Sequence, residues 1–113
     1  MNKIRNYTII TYDSTDAYEY MKAGEIAIDV GVSLILVYAI FDNGKPYGLM
    51  LKNKSGIILA KTEYSDSDNY GNPSILYYFY TETPTSYEVW CKRTNTTSPN
   101  SRIAYSVVKL SGN

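Results

Sequence analysis

The sequence contains no histidine. Histidine general bases, histidine-dependent triads and histidine-ligated metal sites are therefore excluded within this chain. There is a single cysteine, Cys91, so no intrachain disulfide framework can form. Charge is scarce and balanced: 11 Lys+Arg face 11 Asp+Glu, and charged residues make up only 19% of the 113 residues. A neutral chain lacks the basic footprint of a phosphate-tracking protein, so nucleic acid is not an expected partner. Long apolar runs are missing too. The most apolar stretch, Val32 to Phe41, follows Ile26–Gly31 but is interrupted by Asp29 and Ser33 and ended by Asp42-Asn43-Gly44. It is too short for a membrane-spanning helix. Met1-Asn2-Lys3-Ile4-Arg5 has charge without an apolar segment behind it, so no secretory signal peptide is expected.

What is present in excess is tyrosine, with thirteen residues against two phenylalanines and one tryptophan. Tyrosine offers a broad apolar face with one polar tip, a mixture favoured at interfaces and recognition surfaces. Hydrophobic residues reach 44%, which excludes a disordered chain. The length suits one domain, 1–113, with a single core.

Turn signals punctuate short segments that favour strands. Strands are expected over Tyr7–Tyr12, Glu25–Val30, Ser33–Phe41, Tyr47–Lys52, Ile57–Thr62, Ser74–Thr81, Tyr87–Arg93 and Ile103–Leu110. Ala17–Ala23 fits one helical turn or a short strand, and Gly24 punctuates it. Asn43-Gly44 suits a tight hairpin turn. Gly31 suggests a bend. The pattern predicts an all-β fold: an antiparallel, jelly-roll-like β-sandwich of about eight strands with little helix.

Two strands break the rule that one face of a sandwich strand meets water. In the first, Val32, Leu34, Leu36, Tyr38 and Ile40 share one face, while Ser33, Ile35, Val37, Ala39 and Phe41 share the other. In the second, Ile75, Tyr77 and Phe79 oppose Leu76, Tyr78 and Tyr80. Leaving such side chains in water forgoes roughly 1.5–3 kcal/mol each. A second covering layer is expected, supplied by another copy of the chain packed about a symmetry axis. The residues assigned to this interface are Ile35, Val37, Phe41, Leu76, Tyr78 and Tyr80. The alternative is cover from Ala17–Ala23 or the long loops.

Motifs for chemistry are weak. Asp66-Ser67-Asp68-Asn69-Tyr70-Gly71 begins like a calcium loop, but Tyr70 and Tyr77 occupy the fifth and twelfth positions, so it is no EF-hand. A solvated acidic loop is the expected reading, with a loop calcium site on Asp66, Asp68 and Asn69 as the alternative, so no metal or cofactor is expected. Asp13, Asp16, Glu19, Glu25 and Asp29 cluster in sequence without a fixed separation, so a glycosidase pair is not indicated. Cys91, between Trp90 and Lys92, reads as a small core residue. The aromatic residues lead further. Flat rings stack on sugar faces, and Asn, Asp and Ser oxygens accept hydroxyl hydrogens. Tyr64, Asp66, Asp68, Asn69, Tyr70 and Trp90 are the candidate ligand-binding residues, whereas Tyr77 and Tyr87 are expected in the core or in subunit contacts.

Ser86-Tyr87-Glu88-Val89-Trp90-Cys91-Lys92, followed by Ile103-Ala104-Tyr105-Ser106-Val107-Val108-Lys109-Leu110, resembles the last strands of small β-sandwich domains from bacteriophage tail fibres and related virion appendages. The likeness covers about a quarter of the chain, and none of its residues is catalytic. It implies a jelly-roll-like fold, trimerisation, a place on a virion or extracellular surface, and binding of a host surface glycan or protein receptor. It transfers no individual binding residue. The function expected is thus non-enzymatic oligomerisation and receptor binding; a monomeric carbohydrate-binding module is the alternative, and an enzyme ranks last.

Overall fold

A computed structural model describes residues 8–13, 19–40, 46–63, 73–93 and 100–111. Eight strands account for most of these: β1 (Thr8–Asp13), β2 (Met21–Ile28), β3 (Gly31–Ile40), β4 (Pro46–Lys52), β5 (Ile58–Glu63), β6 (Ser74–Thr81), β7 (Thr85–Arg93) and β8 (Asn100–Ser111). No helix occurs among the described residues. The strands form two four-stranded antiparallel sheets, ordered β1-β8-β3-β6 and β2-β7-β4-β5. Successive strands cross from one sheet to the other except at the β4–β5 hairpin. This order is that of a jelly roll.

Local chemistry explains the corners. Only Asp29 and Val30 separate β2 from β3, which lie in different sheets. The Asp29 carboxylate accepts a bond from the Val30 amide, and Gly31 takes the sharp change of direction at φ 110°. The β4–β5 turn is held by Asn53, whose side-chain oxygen accepts bonds from the Ser55 and Ile57 amides. Gly56 completes that turn at φ 87°, a conformation that other residues adopt only with strain.

The core lies between the sheets. Ile35, Val37 and Ala39 of β3, Ile75 and Phe79 of β6 and Ile103 of β8 face Ile26 and Ile28 of β2, Leu49 and Leu51 of β4, and Val89 and Cys91 of β7. Tyr77, Phe79 and Tyr87 extend it as an aromatic cluster with centroid separations of 5.2–6.2 Å. Burial, with Tyr77 beside it, raises the Tyr87 phenol above its ordinary pKa of 10.0.

Three sequence expectations change. Asn43-Gly44 does not join a paired hairpin, because β3 pairs with β6 and β8 while β4 pairs with β5 and β7; the turn itself lies outside the described residues. Met21–Ala23 and Glu25–Ile28 form one strand through Gly24 rather than separate elements. Finally, Ile35 and Val37 cannot serve an intersubunit contact. Both are fully buried inside their own sandwich, because their side of β3 faces the opposite sheet. Phe41 lies outside the described residues.

Candidate functional site

A sandwich has two outward faces, and the side-chain alternation of each strand decides what they carry. On the β1-β8-β3-β6 sheet, the register places Val32 beside Tyr80, Leu34 beside Tyr78 and Val108, and Leu36 beside Leu76 and Ser106. All but Ser106 are apolar or aromatic. On β3, Val32, Leu34, Leu36 and Tyr38 are half-buried, flanked by strands on both sides. Exposure is much greater on β6, where Leu76, Tyr78 and Tyr80 stand 66%, 64% and 63% exposed. Of the described residues assigned to an interface from sequence, these three are the ones the fold turns outward.

The outer face of the β2-β7-β4-β5 sheet is different. Lys22, Trp90, Met50 and Lys61 form one cross-strand row. Glu25, Glu88, Lys52 and Ile58 form the next, and Lys92, Gly48 and Glu63 a third. The Trp90 indole N–H donates to Glu88 at 2.9 Å, and the Lys52 ammonium sits 3.8 Å from the ring centroid. The indole is thus held from its edge and from one face. Lys22 bonds Glu25 at 2.6 Å and reaches Glu88 at 3.5 Å. Residues three apart in a regular strand point to opposite faces. The register shift between Lys22 and Gly24 inserts one residue, which brings Lys22 and Glu25 to the same side.

Tyr20 closes the third row. Its hydroxyl donates to Glu63 at 2.6 Å, and Lys92 donates to the other carboxylate oxygen at 3.3 Å. Gly48 makes this possible: a Cβ there would lie 2.5 Å from the Tyr20 hydroxyl oxygen. Lys92 and Lys61 lie 4.8 and 5.4 Å from the Tyr20 ring centroid.

These contacts set the electrostatics. The Tyr20 hydrogen bond, then Lys92 and Lys61, hold the Glu63 carboxyl below its ordinary 4.5. The Trp90 indole and the lysines beside Glu88 lower its carboxyl likewise. The Lys22 ammonium is raised above 10.5, chiefly by its bond to Glu25. Both glutamates are therefore stabilised as anions, the reverse of the raised carboxyl that suits a general acid.

Tyr64, Asp66, Asp68, Asn69 and Tyr70 lie outside the described residues, as does Asp16. Glu25 is tied to Lys22, and Asp29 bonds its own turn and lies 3.7 Å from Lys109. Cys91 is buried as expected of a core residue. Among the described residues, no group of three or more Cys, Asp or Glu is placed to hold a metal ion. Tyr20, Lys22, Lys52, Lys61, Lys92, Glu63 and Glu88 were not candidates from sequence. The signal available was Glu88-x-Trp90-x-Lys92, which must share one face of a strand. The neighbours that complete the rows come from three other strands.

No protein-family model matches the chain, and no curated protein matches it.

Proposed function

We propose that this chain is a non-enzymatic, self-associating jelly-roll module of the virion-appendage kind, which joins copies of itself on the apolar side and presents the charged, aromatic side to a host surface glycan. One observation carries this reading: the outward positions of β3 and, from Leu76 on, of β6 are apolar or aromatic, and Leu76, Tyr78 and Tyr80 remain nearly two-thirds exposed. Covering them would contribute roughly 1–2 kcal/mol each, scaled from full burial. Contiguous apolar patches of this kind mark association surfaces. With copies joined on that side, the opposite face stays outward, and it carries Trp90 and Tyr20 among lysines and glutamates that can bond sugar hydroxyls. The fold agrees with such a role without assigning it.

The test is native mass spectrometry of the full chain at micromolar concentration, followed by titration of the same sample with neutral and acidic glycans while Trp90 fluorescence is read. Multimers of the 12.8 kDa chain with a saturable fluorescence change support the whole reading. A monomer whose fluorescence still responds to sugar favours the monomeric carbohydrate-binding module. A monomer without a response overturns both.

A further inference from the structure

We infer that β6 is a pairing edge, and that two copies of the chain join by antiparallel β6–β6 addition about a two-fold axis. This rests on the self-association reading and specifies its geometry.

β6 is the last strand of its sheet, with β3 on one side and no described strand on the other. The direction of its backbone groups is fixed at two points. The Pro73 carbonyl accepts from the Ala39 amide of β3 at 3.0 Å, so residue 73 points inward to the sheet. The Ser74 carbonyl accepts from the Thr62 hydroxyl at 2.8 Å, so residue 74 points the other way. Backbone groups alternate along an antiparallel strand. The N–H and C=O groups of Leu76, Tyr78 and Tyr80 therefore line the outer edge. These same residues carry the most exposed large apolar side chains among the described residues of the sheet.

Natural sheets protect such edges with charge, proline or bulges. β2 carries Lys22, Glu25 and a register shift, β5 carries Lys61 and Glu63, and β1 ends at Asp13. β6 reads Ser-Ile-Leu-Tyr-Tyr-Phe-Tyr-Thr, with no charge, no proline and no register shift against β3. The occupant that suits it is its own copy. About a two-fold axis, antiparallel pairing sets Tyr78 opposite Tyr78 of the partner subunit and Leu76 opposite the partner subunit's Tyr80. Each opposed pair then falls on one face of the joined sheet, and the edge donors meet edge acceptors. β3 shows what flanking on both sides does: its outer apolar residues are half-buried where those of β6 are not. Pairing would bring β6 to the condition of β3. An isologous contact also demands an even copy number, so the three-fold ring implied by the resemblance would accommodate it only as a hexamer.

The test combines amide hydrogen exchange by NMR across a dilution series with two variants at one position. The Leu76, Tyr78 and Tyr80 amides are expected to be protected in the assembly and to exchange freely on dilution. Tyr78→Pro removes an edge N–H without removing a bond to β3, as edge strands allow. It is expected to weaken association by on the order of a hundredfold, while Tyr78→Ala, which keeps the N–H, weakens it by about tenfold. An assembly in which the three amides still exchange freely overturns β6 pairing and leaves self-association standing, as does a strict trimer or a loss on Leu34→Lys with no loss on Tyr78→Pro. Absence of association at any concentration overturns both. The exchange measurement on the unmodified chain decides the matter even if Tyr78→Pro does not fold.

Discussion

The two outer faces of this sandwich are built from strands of similar length in sheets of equal size, yet they meet water differently. On the β2-β7-β4-β5 sheet, outward positions hold lysines and glutamates that pair with one another, with Trp90 and Tyr20 clamped among them. On the β1-β8-β3-β6 sheet, the outward positions of the two paired strands β3 and β6 hold Val32, Leu34, Leu36 and Tyr38 beside Leu76, Tyr78 and Tyr80. The first face is complete in the single subunit, because its polar groups bond one another. The second leaves Leu76, Tyr78 and Tyr80 nearly two-thirds exposed in the single subunit. Two sheets suffice to form the core, and the apolar residues left outside it make a patch of the kind through which proteins associate.

The contrast can be broken most severely inside β6 itself. Ile75→Asp places a carboxylate in the core, where burial without a partner costs several kcal/mol, and is expected to abolish cooperative thermal unfolding. The adjacent Leu76→Asp changes an exposed position and is expected to leave subunit stability within about 1 kcal/mol while suppressing association. Equal damage from both would show that the faces of β6 are misassigned. Next in size, Trp90→Ala deletes the ring that carries the Lys52 and Glu88 contacts, and should lower the denaturation free energy by about 1–2 kcal/mol with no change in copy number. Tyr80→Ala should do the reverse, changing copy number and not subunit stability.

Gly48→Ala is expected to cost about 1 kcal/mol in chemical denaturation. The added methyl displaces the Tyr20 hydroxyl, the flexible end of its side chain, and loosens its bond to Glu63. The smallest effect is on pH dependence. Glu63 and Glu88 have folded-state pKa values below the ordinary 4.5. Their contribution is therefore present above the unfolded-state pKa and is lost as pH falls through the folded-state value. Denaturation midpoints should fall below pH 4.5, and Glu63→Gln should flatten that fall. An identical acid limb in the variant would show that the Tyr20–Glu63–Lys92 contact adds nothing to stability.

Much of the architecture was legible in the sequence because it rests on local signals. Ser74–Thr81 is a strand with the bounds its tyrosines and Pro84 suggest, and Asn53–Gly56 turns as its residue types require. What local signals do not carry is which sheet a strand joins. Asn43-Gly44 reads as a hairpin turn, but the chain changes sheets between β3 and β4. The same gap explains why Ile35 and Val37 were placed outside. With both faces of β3 apolar, alternation alone does not say which is inward. On β6 the two sides differ more, with Ile75 and Phe79 buried inward and Leu76 and two tyrosines exposed outward. Of the charged face, Trp90 was visible as a rare residue, whereas its partners Lys52, Lys22 and Glu63 meet it or its neighbours only through cross-strand register.

Small-angle X-ray scattering over a dilution series tests most directly whether the surplus apolar face is covered by another subunit. The single subunit has a Cα radius of gyration of 14.2 Å. The expected result is a mass that is a multiple of 12.8 kDa and a radius well above the single-subunit value at high concentration, both reverting on dilution or on Leu76→Asp. A 12.8 kDa particle with the single-subunit radius at every concentration would contradict it.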